Sequence, residues 1–92
     1  MEIRQTLDFR RIYKKLHKNQ LSVVNEEISN LAENPNLGEE KVGDLKGVFV
    51  YKFKVLNQQY LLAYTFDETT LTLITLGVHE NFYRSLKNLV NQ

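Results

Sequence analysis

The stretch VFVYKFKVLNQQYLLAYTFDETTLTLITLGV, residues 48–78, decides the fold, because its apolar residues recur with a period of two. Over 48–55, Phe49, Tyr51, Phe53 and Val55 alternate with Val48, Val50, Lys52 and Lys54, and alternate side chains of a strand point to opposite faces. Tyr60, Leu62, Tyr64 and Phe66 repeat the pattern over 60–66. Residues 71–78 are nearly all β-branched or leucine up to Gly77, as in a central strand covered on both faces. Asn57-Gln58-Gln59 and Asp67-Glu68-Thr69 are long enough only for reversals, so the three strands form an antiparallel meander.

Outward from the meander the period changes. Phe9, Ile12, Tyr13 and Leu16 stand at i, i+3, i+4 and i+7, and Leu21, Val24, Ile28 and Leu31 make a second such stripe. Asn34-Pro35 ends that second helix, since the residue before a proline avoids the helical region. The closeness of the two stripes predicts a helical hairpin. Residues 35–47, punctuated by Gly38, Gly43 and Gly47, read as one long polar connection. A third helix is predicted over 81–91 with Phe82, Leu86, Leu89 and Val90 on its apolar side, and 2–6 reads as a short edge strand. The predicted class is α+β: an N-terminal helical hairpin on an antiparallel meander of three strands plus an N-terminal edge strand, with a C-terminal helix. One sheet and one helical layer are expected.

At 92 residues the chain is a single domain, 1–92, with a thin core and no room for a deep active site. Its 42% apolar content is too high for a disordered chain. The absence of cysteine excludes a disulfide scaffold, a thiolate zinc site and a cysteine nucleophile. No apolar run approaches a membrane span and the N-terminus has no signal-peptide core, so a cytoplasmic location is expected. Phosphate-binding glycine loops and a serine-hydrolase elbow are missing as well. The net charge of +1 hides alternating blocks. Residues 1–20 are basic, 21–45 set Lys41 against six acids, and 46–66 hold Lys46, Lys52 and Lys54 with no acid. A local anion-binding face is therefore compatible with a near-neutral chain.

Two groups stand out for chemistry. Lys52 and Lys54, two apart on a strand, point the same way; an RNA or DNA backbone over them converts their repulsion into attraction, whereas an ordinary solvated strand face needs no ligand. His79 follows a strand and Gly77 and precedes a helix, where a side chain able to exchange protons near neutral pH is well placed, or where a histidine simply caps the helix. Tyr83, four residues on, shares its helix face, and Arg84 beside it is a phosphate-binding type. The two histidines have no acidic partners at metal-ligand spacing, so no metal and no cofactor are expected.

Several stretches together resemble the RelE/ParE superfamily of toxins from bacterial type II toxin–antitoxin modules. They are Asn34-Pro35-Asn36-Leu37-Gly38, Leu45-Lys46-Gly47, Tyr51-Lys52-Phe53-Lys54, Tyr60-Leu61-Leu62-Ala63-Tyr64 and Leu76-Gly77-Val78-His79-Glu80-Asn81-Phe82-Tyr83. The resemblance runs over nearly the whole chain. It implies one of two activities: RelE-like cleavage of mRNA on the ribosome, or ParE-like poisoning of DNA gyrase without cleavage. A member that only binds its antitoxin is the third reading. The Y-K-x-K match implies catalytic lysines at Lys52 and Lys54, and the G-x-H context followed by aromatics implies a catalytic His79 with Tyr83. Lys46, Tyr51 and Arg84 are the implied RNA-binding residues. The chain departs from RelE at Leu61, where RelE has a strand arginine, and His79 falls near another of its arginines. The partners implied are a cognate antitoxin, the ribosome and mRNA, with no membrane.

Overall fold

The structure, a computed structural model, describes residues 1–90, apart from the side chains of Glu80 and Asn81. The chain runs β1 (Glu2–Gln5), α1 (Leu7–Lys14), α2 (Lys18–Glu33), β2 (Glu39–Glu40), β3 (Phe49–Val55), β4 (Gln58–Phe66), β5 (Thr70–Val78) and α3 (His79–Val90). Short 3-10 turns at Pro35–Leu37 and Gly43–Leu45 flank β2. The sheet has five strands in the order β1-β5-β4-β3-β2. The meander is antiparallel as its short turns require, whereas β1 lies parallel to β5 with Ile3 opposite Leu71.

The turns show where local chemistry sets register. Asp67 accepts hydrogen bonds from the backbone N–H groups of Thr69 and Thr70, which closes the β4–β5 reversal. The β3–β4 reversal is tighter than the three-residue turn predicted at Asn57-Gln58-Gln59. Val55 pairs with Gln58, leaving Leu56 and Asn57 as the turn, with Leu56 at φ 57°. A leucine rarely takes this left-handed conformation, so its side chain gave no turn signal.

Helices cover both faces of the sheet rather than the single face expected from the sequence. Alternation along the strands divides the core in two. Phe53, Val55, Leu62, Tyr64, Leu71 and Leu73 face α1 and α2, where Phe9, Val24, Ile28 and Leu31 meet them. Val50, Leu61, Ala63 and Ile74 face the other way and are covered by Phe82 and Leu86 of α3, with Leu45 and Val48 at the margin. The third helix has its own apolar stripe, which needs its own sheet face. Its start at His79 precedes the predicted start by two residues, and the predicted end at Asn91 lies outside the described residues.

The Asn34–Gly38 stretch acts inside the first core. Tyr64 is fully buried; its hydroxyl donates to the Pro35 carbonyl at 2.6 Å and accepts from the Gly38 N–H at 2.9 Å. A Cβ on Gly38 would lie 2.5 Å from that hydroxyl. Glycine is thus required by the close approach of an aromatic ring, and the approach fixes where β2 begins.

Candidate nucleic-acid interface

Strand β3 places Lys52 and Lys54 on the α3 side of the sheet, between the aromatic side chains that anchor the strand from the other side. Both lysines are exposed, and α3 packs mainly over β5 and β4. Neither has an ion-pair partner among the described side chains. Lys52 pairs with Leu61, and Leu61 with Gly77; Lys54 pairs with Gln59. His79 lies one residue past Val78, the partner of Tyr60. Gln59, the partner of Lys54, is thus followed by Tyr60, whose partner Val78 directly precedes His79.

His79 is exposed as the first residue of α3, and its ring stands edge-on to Tyr83 at 5.9 Å. Tyr83 is half-buried, held edge-on against the core residue Phe82 at 5.2 Å. The short β2 brings two further groups to this rim. The Lys41 ammonium lies 5.4 Å from the centre of the Tyr83 ring and 2.6 Å from the Glu39 carboxylate. That hydrogen bond and the Lys41 charge hold the Glu39 carboxyl below the usual range, with a weaker contribution from Lys52. Glu39, and to a lesser extent Tyr83, raise the Lys41 ammonium above its ordinary value against the opposing effect of burial.

The structure thus brings Lys52, Lys54, His79 and Tyr83 to one side of the sheet. Lys46 is exposed directly after the turn that inserts Leu45 into the α3-side core, and Arg84 is exposed on α3 next to Tyr83. Tyr51 is placed elsewhere: it faces the helical hairpin, and its hydroxyl donates to Glu27 of α2 at 3.0 Å. Strand alternation accounts for this, since Tyr51 has the parity of Phe53. Sequence reasoning passed over Glu39 and Lys41 as part of a polar connection. The available signal was opposite charges at i and i+2, the spacing that puts two side chains on one strand face.

The interface is an open surface. A concavity of about 310 Å³ lies instead along the outer edge of β5, lined among others by Asp8, Ile12, Thr75, Gly77, Phe82 and Ser85. It exists because β1 pairs with β5 only as far as Leu73. Neither lysine lines it, and its one carboxylate, Asp8, accepts a hydrogen bond from Thr75 at 2.6 Å. No described helix is long and apolar enough to cross a membrane.

The family model described as ParE-like toxin of type II bacterial toxin–antitoxin system matches residues 3–87. Among solved structures, the toxin–antitoxin complex RelBE2 from Mycobacterium tuberculosis is similar at 26% identity, with 85% of this chain and 96% of that chain covered and a TM-score of 0.72. A mutant of the E. coli toxin RelE in the free state aligns at 14% identity over 98% of this chain and 94% of its own, with a TM-score of 0.74. The YoeB dimer from Staphylococcus aureus aligns at 20% identity, 86% and 97% coverage and a TM-score of 0.69. The last two likenesses are of fold. Among curated proteins none matches the sequence.

Proposed function

The chain belongs to the ParE-like toxins of type II bacterial toxin–antitoxin systems, and from that premise we propose that it is a ribonuclease that cleaves mRNA on the ribosome and so arrests translation. The observation that carries the reading is the open sheet face on which Lys52 and Lys54 stand side by side, with His79 and Tyr83 at the end of the next strand but one.

The reaction these groups support uses the RNA's own 2′-hydroxyl as nucleophile. That oxygen attacks the adjacent phosphorus while its proton passes to a base. The bond to the 5′-oxygen breaks, that oxygen takes a proton from an acid, and the products are a 2′,3′-cyclic phosphate and a 5′-hydroxyl end. Lys52 and Lys54 offer two cations to the phosphorane, whose added negative charge is the feature the site must stabilise. One of the pair also takes the proton that leaves the 2′-hydroxyl. His79, directly after β5, is the acid for the leaving oxygen. Tyr83 presents a ring for a base to stack on, and Lys46 and Arg84 hold flanking phosphates. The proposed partners are the ribosome with its mRNA and a cognate antitoxin; RelBE2, the 26% identical neighbour, is itself a toxin–antitoxin complex.

The family's ParE-like description supports a second reading, a gyrase poison that cuts nothing. Primer extension on cellular mRNA soon after induction of the chain without antitoxin separates the two. Cuts in translated messages that vanish in a His79→Ala control are expected. Intact messages in arrested cells with a DNA-damage response would overturn the ribonuclease reading in favour of gyrase.

A further inference from the structure

Lys41 is a cation at the rim of this site to which the ribonuclease reading gives no task. Its side chain is only 20% exposed, so its stem is covered while its ammonium reaches Glu39. Glu39 is 77% exposed on a strand two residues long. An ion pair this open to water contributes little to stability. Its position is the informative part. The pair joins Tyr83, a ring of the candidate site, to a carboxylate that also feels the charge of Lys52. Glu39 is therefore a carboxylate held among the cations of that face, where an anionic substrate would arrive.

We propose that Lys41 is a further RNA-contacting residue of this site, which binds a backbone phosphate next to the base stacked on Tyr83, and that Glu39 is the counter-ion this phosphate displaces. The exchange is chemically even. A carboxylate and a phosphate oxygen make the same short charge-assisted bond to an ammonium. The Lys41 ammonium has three donors, and Glu39 accepts from it through a single oxygen, so it can turn from one anion to the other without moving its stem. The Tyr83 ring face below it favours a cation whichever anion is bound. Glu39 then sets affinity as a competitor: it keeps the face from holding any passing polyanion, and a correctly placed phosphate must replace it.

The proposal rests on the ribonuclease reading, and the experiment separates their failures. Cleavage of a short messenger on programmed ribosomes is followed under single-turnover conditions across toxin concentrations. The proteins are the wild type, Lys41→Met, Lys41→Arg, Glu39→Gln and Lys52→Ala. Methionine keeps the stem over Tyr83 and removes the charge. Loss of one charged contact predicts that Lys41→Met needs about tenfold more toxin for half-saturation, with its saturating rate within about twofold of wild type. Lys41→Arg should restore the wild-type value, and Glu39→Gln should lower it by severalfold. The proposal is overturned if Lys41→Met half-saturates like wild type, or if it slows the saturating rate alone, while Lys52→Ala still abolishes cleavage. If the wild type cuts nothing at any concentration, the ribonuclease reading fails and takes this proposal with it.

Discussion

The two faces of the sheet are built from the same strands and do opposite things. On the hairpin face, β3 and β4 contribute Phe49, Tyr51, Phe53, Tyr60, Tyr64 and Phe66, a band of rings stacked or tilted against their neighbours and closed by α1 and α2. On the α3 face, the same β3 presents Lys52 and Lys54 to solvent, and one helix covers only part of the sheet. A thin sheet can carry an open cationic surface on one side because the other side is heavily packed. Two lysines side by side repel each other, so burial elsewhere must hold their strand in place.

The strongest way to break this comparison is to remove the charge and leave the packing. Lys52→Ala with Lys54→Ala is expected to lower the cleavage rate by about 10⁴-fold, on the scale of two lost electrostatic contacts to the transition state. Thermal unfolding should stay within about 0.5 kcal/mol of wild type, because both positions are exposed. A parallel loss of stability would mean that the lysines are structural.

Next in size, Leu31→Ala empties a fully buried position of the hairpin face and should cost about 3 kcal/mol in urea denaturation. Leu86→Ala, equally buried under α3, should cost a similar amount but also disturb the helix that carries His79 and Tyr83. Cleavage per folded molecule should thus fall for Leu86→Ala and hold for Leu31→Ala.

A smaller effect, about 1–3 kcal/mol, is expected for Gly38→Ala, whose Cβ meets the pinned Tyr64 ring. Because β2 begins directly after Gly38, this variant should also weaken the Lys41 effect on half-saturation. The smallest concerns Tyr51. Burial, and then Glu27, raise its phenol above the ordinary value of 10.0. Its hydroxyl proton is therefore lost more readily in the unfolded chain. The associated stability is complete below about pH 10 and declines as pH climbs through the raised value. Tyr51→Phe should cost about 1 kcal/mol at neutral pH and flatten part of this alkaline decline, with no change in cleavage.

Much of the architecture was legible because it rests on periodicity. The strand alternation of 48–55 gave both the sheet and the shared face of its two lysines. The stripes of Phe9 and Leu21 gave the hairpin, and Asn34-Pro35 marked its end. The second helical layer was missed because an amphipathic stripe reveals that a helix packs, and not on which side. Strand β2 was missed because two residues are too few to show a period. Tyr51 was assigned to the site through its neighbours in a motif, while its parity along the strand already put it opposite them.

The pairing of β1 with β5 has a consequence for the order in which the molecule is completed. Glu2 lies beside Thr70, and the hydroxyl of Thr6 reaches the carbonyl of Ile74, 68 positions later in the chain. Contacts so distant in sequence require a long loop to be closed before they form, which delays them in folding. The basic segment that carries β1 and α1 precedes β5 in the chain and has no β5 edge to join until that strand exists, and His79 follows directly on β5. A nascent or truncated chain that ends before β5 lacks both the docking strand for its N-terminus and the histidine of the proposed reaction. On the proposed reading, cleavage competence therefore arrives only after β5 and His79 have been made.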